Sequence, residues 1–183
     1  MRQQATAWYY RATNTQSIVL GGGCFWCIEA VYQRIKGVEH VRSGYSGGTQ
    51  EDPTYHNHGD HAEVVEITFN DSVINLQTIL SIFWTVHDPT TLNRQGSDVG
   101  ASYRSIILYK DQEQRAIAED SKKQASGAWD DPIVTQIEPL DTFYEAEDYH
   151  QDYFNQNQAN PYCQVVINPK LSKLQSSFKE LLK

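Results

Sequence analysis

The sequence predicts an α/β (α+β) fold, a two-layer sandwich with a ferredoxin-like βαββαβ core over residues 16–109 and additional C-terminal helices. Strand-like and helix-like hydrophobic patterns follow one another in that order, and glycine-bearing polar loops separate them. The chain has 183 residues, which is long enough for one sizeable core. We therefore expect a single catalytic domain, residues 16–183, preceded by an irregular N-terminal extension, residues 1–15.

The first three elements of the core are predicted from hydrophobic spacing. QSIVLGGG predicts a buried strand that runs into a glycine turn. CFWCIEAVYQRI predicts a helix, because its apolar residues recur at the three-and-four spacing of one face until Gly37. VEHVRSGYSGG predicts the second strand.

The second half of the core follows a loop rich in turn-forming residues, TQEDPTYHNHGD. HAEVVEITF predicts the third strand, NLQTILSIFWTVHD predicts an amphipathic helix that ends at Pro89, and SYRSIILY predicts the fourth strand. This order gives the βαββαβ arrangement.

Beyond residue 109 the patterns predict the elaborations of the core. A polar-faced helix (DQEQRAIAEDSKKQA) precedes a possible fifth strand (IVTQIEPL). EAEDYHQDYFNQN and KLSKLQSSFKELL predict two more helices, and the apolar run CQVVI between them is strand-like.

Composition excludes several classes of function. The formal net charge is −8, and the sequence contains no stripe of Lys and Arg, so a nucleic-acid partner is not expected. No apolar run approaches the roughly 18 residues needed to cross a bilayer. The N-terminal residues lack the apolar stretch of a secretory signal. We expect a cytoplasmic protein with no membrane partner.

The cysteines are the first candidates for chemistry. Cys24, Cys27 and Cys163 are too few, and odd in number, for a disulfide framework. If Cys24 begins a helix, the unpaired N–H groups and the positive end of the helix dipole are expected to lower the pKa of its thiol. Cys27 is one helical turn further on and faces the same side. The pair is consistent with redox chemistry, a metal site or plain core packing.

A zinc site is the alternative use of these thiols. His56, His58 and His61 crowd the loop YHNHGDH, and two of them with Cys24 and Cys27 would complete a tetrahedral set of ligands. Against it, two bulky aromatic residues separate the thiols, and a polar histidine-rich loop is usually solvated. A thiol-disulfide oxidoreductase or zinc-binding module therefore stays as the alternative function, and no metal ligand is assigned.

Candidate acids and phenols lie at the ends of the strands. If the third strand alternates, Glu63 shares a face with Val65 and Ile67 and points inward, where an apolar pocket keeps a carboxylic acid protonated to higher pH, as a general acid requires. Asp98 lies in a glycine loop. Tyr45 and Tyr103 adjoin such loops, where a phenol can donate a hydrogen bond to a polar substrate atom.

Five motifs occur in this chain in the order found in peptide methionine sulfoxide reductases of the A class: GGGCFWCIEA, GYSGG, HAEVVEITF, NRQGSDVGASYRS and YEAEDYHQDYF. The chain resembles that family over residues 18–163. The resemblance implies an oxidoreductase that repairs oxidative damage by reducing the S epimer of methionine sulfoxide, free or in proteins. It implies a Cys24 sulfenic acid, then an intramolecular disulfide that thioredoxin reduces. It also implies that the reaction needs no bound cofactor, and we expect a monomer.

The same resemblance implies roles for the site residues. Cys24 is the nucleophile and Glu63 the proton donor. Tyr45, Tyr103 and Asp98 bind or organise around the sulfoxide oxygen. The substrate methyl group is expected to lie against an apolar wall formed by Phe25 and Trp26.

The chain departs from the common pattern of this family at the resolving thiol. Many members have Gly where this chain has Cys27, and Cys163 aligns with the first of their tail cysteines. The sequence after Cys163 does not resemble their mobile, glycine-rich tail, so this thiol is expected to be packed. Cys27 is the predicted resolving thiol because of its proximity to Cys24; Cys163 is the alternative, and both thiols can also be spectators.

Overall fold

The computed structural model describes residues 14–183. Nearly all of the expected N-terminal extension, residues 1–15, lies outside the described residues, and the domain boundary at residue 16 stays a prediction. The strands are β1 (Thr15–Gly22), β2 (Val38–Ser46), β3 (Ala62–Asn70), β4 (Arg94–Gln95), β5 (Asp98–Val99), β6 (Ser105–Tyr109), β7 (Gln136–Pro139) and β8 (Tyr144–Glu145). The α-helices are α1 (Phe25–Tyr32), α2 (Leu76–Val86), α3 (Gln112–Ala125), α4 (Tyr153–Gln156) and α5 (Asn168–Phe178).

One sheet organises these elements. Its strand order is β7-β6-β1-β3-β2-β8, and β4 and β5 form a separate hairpin. The central strands β6, β1, β3 and β2 pair antiparallel, while β7 joins β6 in parallel. Numbered within the βαββαβ unit, the central order is 4-1-3-2, the ferredoxin-like arrangement. The predicted fold class and the fifth strand are confirmed.

Alternation along the central strands divides the core into two layers. Ile18 pairs with Ile67 across β1 and β3, and both side chains belong to the large cluster beneath the helices. Val19 and Val64 point to the other face, which Phe143 helps to cover. Burying each of these side chains contributes about 1.5–3 kcal/mol relative to exposure.

A glycine turn joins β1 to α1. Gly23 has a φ of +99°, which a residue with a side chain rarely adopts, and Cys24 is the N-cap of the helix. Gly21 lies so close to β6 that an added Cβ would sit 2.8 Å from Ile106 Cγ2. The strand can therefore run deep into the sheet and still deliver Cys24 at its end.

The segment EAEDYHQDYFNQN is not the helix that its sequence predicts. It contains β8, a 3₁₀ turn at Asp148–His150 and the single turn of α4. The Gln151 side chain accepts a hydrogen bond from Ser43 N (2.9 Å) and donates to Ser43 O (2.9 Å), which ties the segment to β2. Asp152 adopts a φ of +54°. Tertiary hydrogen bonds have therefore overridden the local helical preference.

The apolar run CQVVI is also not a strand. Cys163–Ile167 is π-helical and leads directly into α5, so the end of the chain is helical throughout this region. Cys163 and Ile167 are fully buried, whereas Val165 is exposed. Within residues 14–183, no helix is both long enough and apolar enough to cross a membrane.

Glu29 is a buried carboxyl on α1. It is 1 % exposed and accepts hydrogen bonds from Asp152 N (2.9 Å) and Tyr153 N (3.3 Å). Burial raises the pKa of Glu29 to about 7, and the two backbone N–H groups act in the opposite direction. The protonated carboxyl is thus favoured in the folded protein.

This raised pKa makes stability depend on pH. Because the folded-state pKa exceeds the unfolded value, the contribution is fully present below about pH 4 and is lost as pH rises through about 7. In urea titrations, the free energy of unfolding should fall by about 2–3 kcal/mol from this group between about pH 5 and about pH 8. Glu29→Gln should remove that part of the slope, and Glu39→Gln, at an exposed position on β2, should not. An unchanged slope in Glu29→Gln contradicts the prediction.

Candidate active site

Cys24 lies at the junction of β1 and α1, at one end of the sheet. Its side chain is 6 % exposed. With Cys27 it lines a cavity of about 370 Å³ between the β4–β5 hairpin and the C-terminal helical segment. The remaining lining residues are Gln95, Gly96, Ser97, Asp98, Val165, Val166, Pro169 and Lys170.

Glu63 enters the same region from β3. It is 2 % exposed and shares the face of Val65 and Ile67, as the alternation of the strand predicts. Its Oε2 accepts a hydrogen bond from Phe25 N (3.1 Å), one of the free N–H groups at the start of α1. Burial raises the pKa of Glu63 to about 7; the Phe25 N–H acts against this shift, and the charge of Asp98 adds to it. A carboxyl with this pKa can hold a proton at neutral pH and also release it.

The pKa of Cys24 is raised, so the prediction that the helix start lowers it is wrong for the free protein. Burial is the largest cause, followed by the neighbouring Cys27 thiol and the charge of Glu63. Burial outweighs the helix start because it strips water from the thiolate. The thiol of Cys24 therefore stays protonated until its surroundings change.

Phe25 and Trp26 form an aromatic wall beside the thiol. Phe25 is fully buried and its ring lies 5.7 Å from the ring of Tyr45. Trp26 is half-buried, and its indole stacks on Tyr153 with centroids 3.7 Å apart. An apolar surface of this kind suits a methyl group.

Tyr45 lies near the end of β2, beside a glycine loop as predicted, but its hydroxyl has a partner within the protein. Its side chain is fully buried, and its hydroxyl donates a hydrogen bond to Glu147 Oε2 (2.9 Å). The pKa of Tyr45 is raised by burial and by that carboxylate. Of the two predicted roles, binding the sulfoxide oxygen or organising the site around it, the first is corrected, because the Tyr45 proton is already donated within the protein.

Tyr55 is the phenol that the sequence reasoning missed. Its ring lies 6.4 Å from Trp26, and burial together with the charges of Glu63 and Cys24 raises the pKa of its hydroxyl. The pKa of Tyr103 is raised in the same way, first by burial and second by the charge of Glu63. Tyr55 lies in an irregular loop without periodicity; its position beside three histidines was the only signal.

Asp98 is connected to the second thiol through a tyrosine. The Tyr162 hydroxyl donates to Asp98 Oδ2 (2.6 Å) and lies 3.8 Å from Cys27 Sγ. The pKa of Tyr162 is raised, first by burial and then by the charges of the two thiols. Tyr162, which sequence reasoning also missed, thus joins the hairpin residue Asp98 to α1.

Cys27 and Cys163 differ in their surroundings. Cys27 is 1 % exposed, and its pKa is lowered by the hydrogen bond to Cys24 and by the positive charge of Lys170, against the effect of burial. Cys163 is fully buried, and burial raises its pKa. All three cysteines are free thiols.

His58 and His61 of the YHNHGDH loop contact polar atoms of the protein backbone. His61 accepts a hydrogen bond from Gly48 N at Nδ1 (3.0 Å), and its Nε2 lies 2.8 Å from Gln50 O. His58 Nδ1 lies 3.0 Å from Tyr55 O. Over residues 14–183, no three His, Cys, Asp or Glu side chains are grouped to hold a metal ion. The alternative zinc site is therefore not formed.

Comparisons with known proteins identify the family to which the chain belongs. The family model "Peptide methionine sulfoxide reductase" matches residues 16–182. A peptide methionine sulfoxide reductase MsrA of Saccharolobus solfataricus is 52 % identical over 168 residues, which are 90 % of this chain and 95 % of that protein. The crystal structure of reduced Mxr1 from Saccharomyces cerevisiae has a TM-score of 0.76 at 31 % identity, and covers 86 % of this chain and 94 % of that one.

A second structure of the yeast protein shows it in complex with Trx2. It has a TM-score of 0.56 at 26 % identity, and the match covers 81 % of this chain and 91 % of that one. The match to the family model spans the sheet except for its first residue and includes Cys24, Cys27 and Glu63. The chain belongs to the peptide methionine sulfoxide reductase family.

Proposed function

We propose that this reductase acts on the S epimer of methionine sulfoxide, free or in proteins, with Cys24 as nucleophile and Glu63 as proton donor. The observation that supports this most is the buried pair itself: a thiol at the start of α1 beside a carboxyl whose pKa is about 7. A sulfoxide needs both groups, because its sulfur is attacked while its oxygen takes up protons.

In the proposed reaction, the sulfoxide oxygen passes from the substrate sulfur to the Cys24 sulfur. The Cys24 sulfur bonds to the sulfoxide sulfur while Glu63 protonates the oxygen. The hydroxyl then passes from the substrate sulfur to the Cys24 sulfur; the substrate S–O bond and the S–S bond both break, which leaves methionine and a Cys24 sulfenic acid. The substrate sulfur is reduced by two electrons and the Cys24 sulfur is oxidised by two. The sulfenic acid keeps the proton that Glu63 donated, and the proton released by the Cys24 thiol balances the one that restores Glu63.

Substrate binding itself activates the thiol in this proposal. The charge of ionised Glu63 raises the pKa of Cys24. A sulfoxide oxygen that accepts a hydrogen bond from the protonated carboxyl favours the neutral form of Glu63. The neighbouring negative charge is then lost, and the thiolate of Cys24 forms more readily.

An apolar wall on one side and hydroxyl donors on the other select the substrate. Phe25 and Trp26 receive the methyl group, and the hydroxyls of Tyr55 and Tyr103 donate to the oxygen opposite. Because oxygen and methyl group are bound on different sides of the sulfur, only one epimer can also present its sulfur to Cys24. Asp98 acts through Tyr162, because its Oδ2 accepts a hydrogen bond from the Tyr162 hydroxyl (2.6 Å).

Cys27 is the proposed resolving thiol. It lies next to Cys24, and its lowered pKa supplies the attacking thiolate that forms a disulfide and releases water. The hydrogen bond from Cys27 N to Cys24 O (3.1 Å) must open, because disulfide geometry is specific. Cys163, in the π-helical segment, is the alternative.

The disulfide is then reduced by an external dithiol. The yeast relative that forms a complex with Trx2 supports a thioredoxin as the partner. We propose further that the enzyme is a cytoplasmic monomer that uses no bound cofactor and binds neither nucleic acid nor membranes.

The proton of Glu63 and the thiolate of Cys24 together set a pH dependence. With the S epimer far below saturation in single turnover, the rate should rise with pH up to about 7 and level off above it, because further gain in thiolate is offset by loss of the Glu63 proton. Glu63→Gln should lower this rate about 10²–10⁴-fold and remove the change of slope near that pH. An unchanged rate in Glu63→Gln contradicts the role of Glu63; Glu66→Gln, on the same strand, is the matched control.

Substitution of each cysteine should distinguish the roles of the three thiols in one turnover without reductant. Cys24→Ser should form no methionine from the S epimer, and the wild type should form none from the R epimer. Cys27→Ser should form methionine but accumulate the sulfenic acid, whereas Cys163→Ser should show a Cys24–Cys27 disulfide by mass spectrometry. Methionine from Cys24→Ser contradicts the mechanism; a Cys24–Cys163 disulfide in the wild type contradicts the role of Cys27.

A further inference from the structure

The orientation of Trp26 is set by aromatic contacts and one hydrogen bond. Its indole stacks on Tyr153, at 3.7 Å and 7° between planes, and lies nearly parallel to Tyr55, at 6.4 Å and 20°. Tyr162 packs against the indole edge to face, at 5.9 Å and 81°. The hydrogen bond from Trp26 Nε1 to His150 Nδ1 (3.1 Å) fixes the direction of the indole N–H.

His150 is suited to accept this bond. It is 1 % exposed, and its ring lies 5.1 Å from Phe25 and 4.4 Å from Tyr55. Burial lowers the pKa of His150, so the imidazole is neutral at neutral pH. Since Nδ1 accepts the indole proton, the proton of the imidazole is on Nε2.

Glu147 favours this tautomer. His150 Nε2 is buried and has no hydrogen-bond partner within residues 14–183; Glu147 Oε2 lies 3.8 Å away. That carboxylate is itself fixed by Tyr45 Oη (2.9 Å) and Tyr55 N (2.8 Å). Its negative charge attracts the Nε2 proton and leaves Nδ1 free to accept.

We propose that His150 is a positioning residue that holds the indole of Trp26 in the orientation that receives the substrate methyl group. His150 acts on sulfoxide binding through Trp26 and touches neither the sulfur nor the oxygen. The proposal rests on the proposed role of Trp26 as a wall of the substrate pocket. It also gives Tyr45 a place in the site, as a residue that fixes Glu147.

Substitution of His150 by Asn and by Gln tests the proposal, because the two amides place their polar atoms differently. The Asn side-chain oxygen can take the place of Nδ1, whereas the Gln amide reaches toward the place of Nε2. In single-turnover assays, His150→Leu and His150→Gln should raise the KM for the S epimer about tenfold with little change in the saturating rate. His150→Asn should restore KM. Equal KM values in the Asn and Gln variants, both folded by circular dichroism, overturn the proposal.

A double-mutant cycle separates this proposal from the function itself. Trp26→Phe keeps a ring but removes the indole N–H. If His150 acts through Trp26, adding His150→Gln to Trp26→Phe should leave KM unchanged. An independent, additive rise in KM overturns the positioning role. If Trp26→Ala leaves KM unchanged while the His150 variants raise it, the wall assigned to Trp26 fails, and the positioning role that depends on it fails with it.

Discussion

The hydrogen bond between Phe25 N and Glu63 Oε2 (3.1 Å) joins the two parts of the molecule that the site needs. It fastens the first free N–H group of α1 to a carboxyl on β3 and so fixes where Cys24 lies relative to an acid. The glycine turn before the helix makes this approach possible, because Gly23 adopts a φ of +99°. The strand order of the sheet places β3 directly beside β1, the strand that ends at this turn.

Burial then decides the protonation of both groups. Removing water raises the pKa of Glu63 to about 7 and raises the pKa of Cys24 as well, so at neutral pH the free protein holds protons that the reaction will move. The same burial means that the thiolate of Cys24 forms readily only when its surroundings change. A sulfoxide supplies the missing partner, since its oxygen accepts a hydrogen bond that an apolar ligand cannot.

Periodicity predicted the parts of this site that belong to regular elements. Alternation along β3 placed Glu63 on the inner face, and helical spacing placed Cys24 at the start of α1. The segment after β7 was predicted poorly, because the hydrogen bonds between Gln151 and Ser43 and the positive φ of Asp152 are tertiary effects. Tyr55 and Tyr45 illustrate the same limit: only the fold shows that the hydroxyl of Tyr45 is used by Glu147.

A titration of the Cys24 thiol is the most direct test of the electrostatic link between Cys24 and Glu63. In a Cys27→Ser/Cys163→Ser background, the ultraviolet absorbance of the thiolate, titrated against pH, reports the pKa of Cys24 alone. If the ionised carboxyl of Glu63 raises that pKa, then adding Glu63→Gln should lower it, because a neighbouring negative charge is removed. A pKa that is unchanged or higher in Glu63→Gln would contradict the electrostatic link between the acid and the nucleophile.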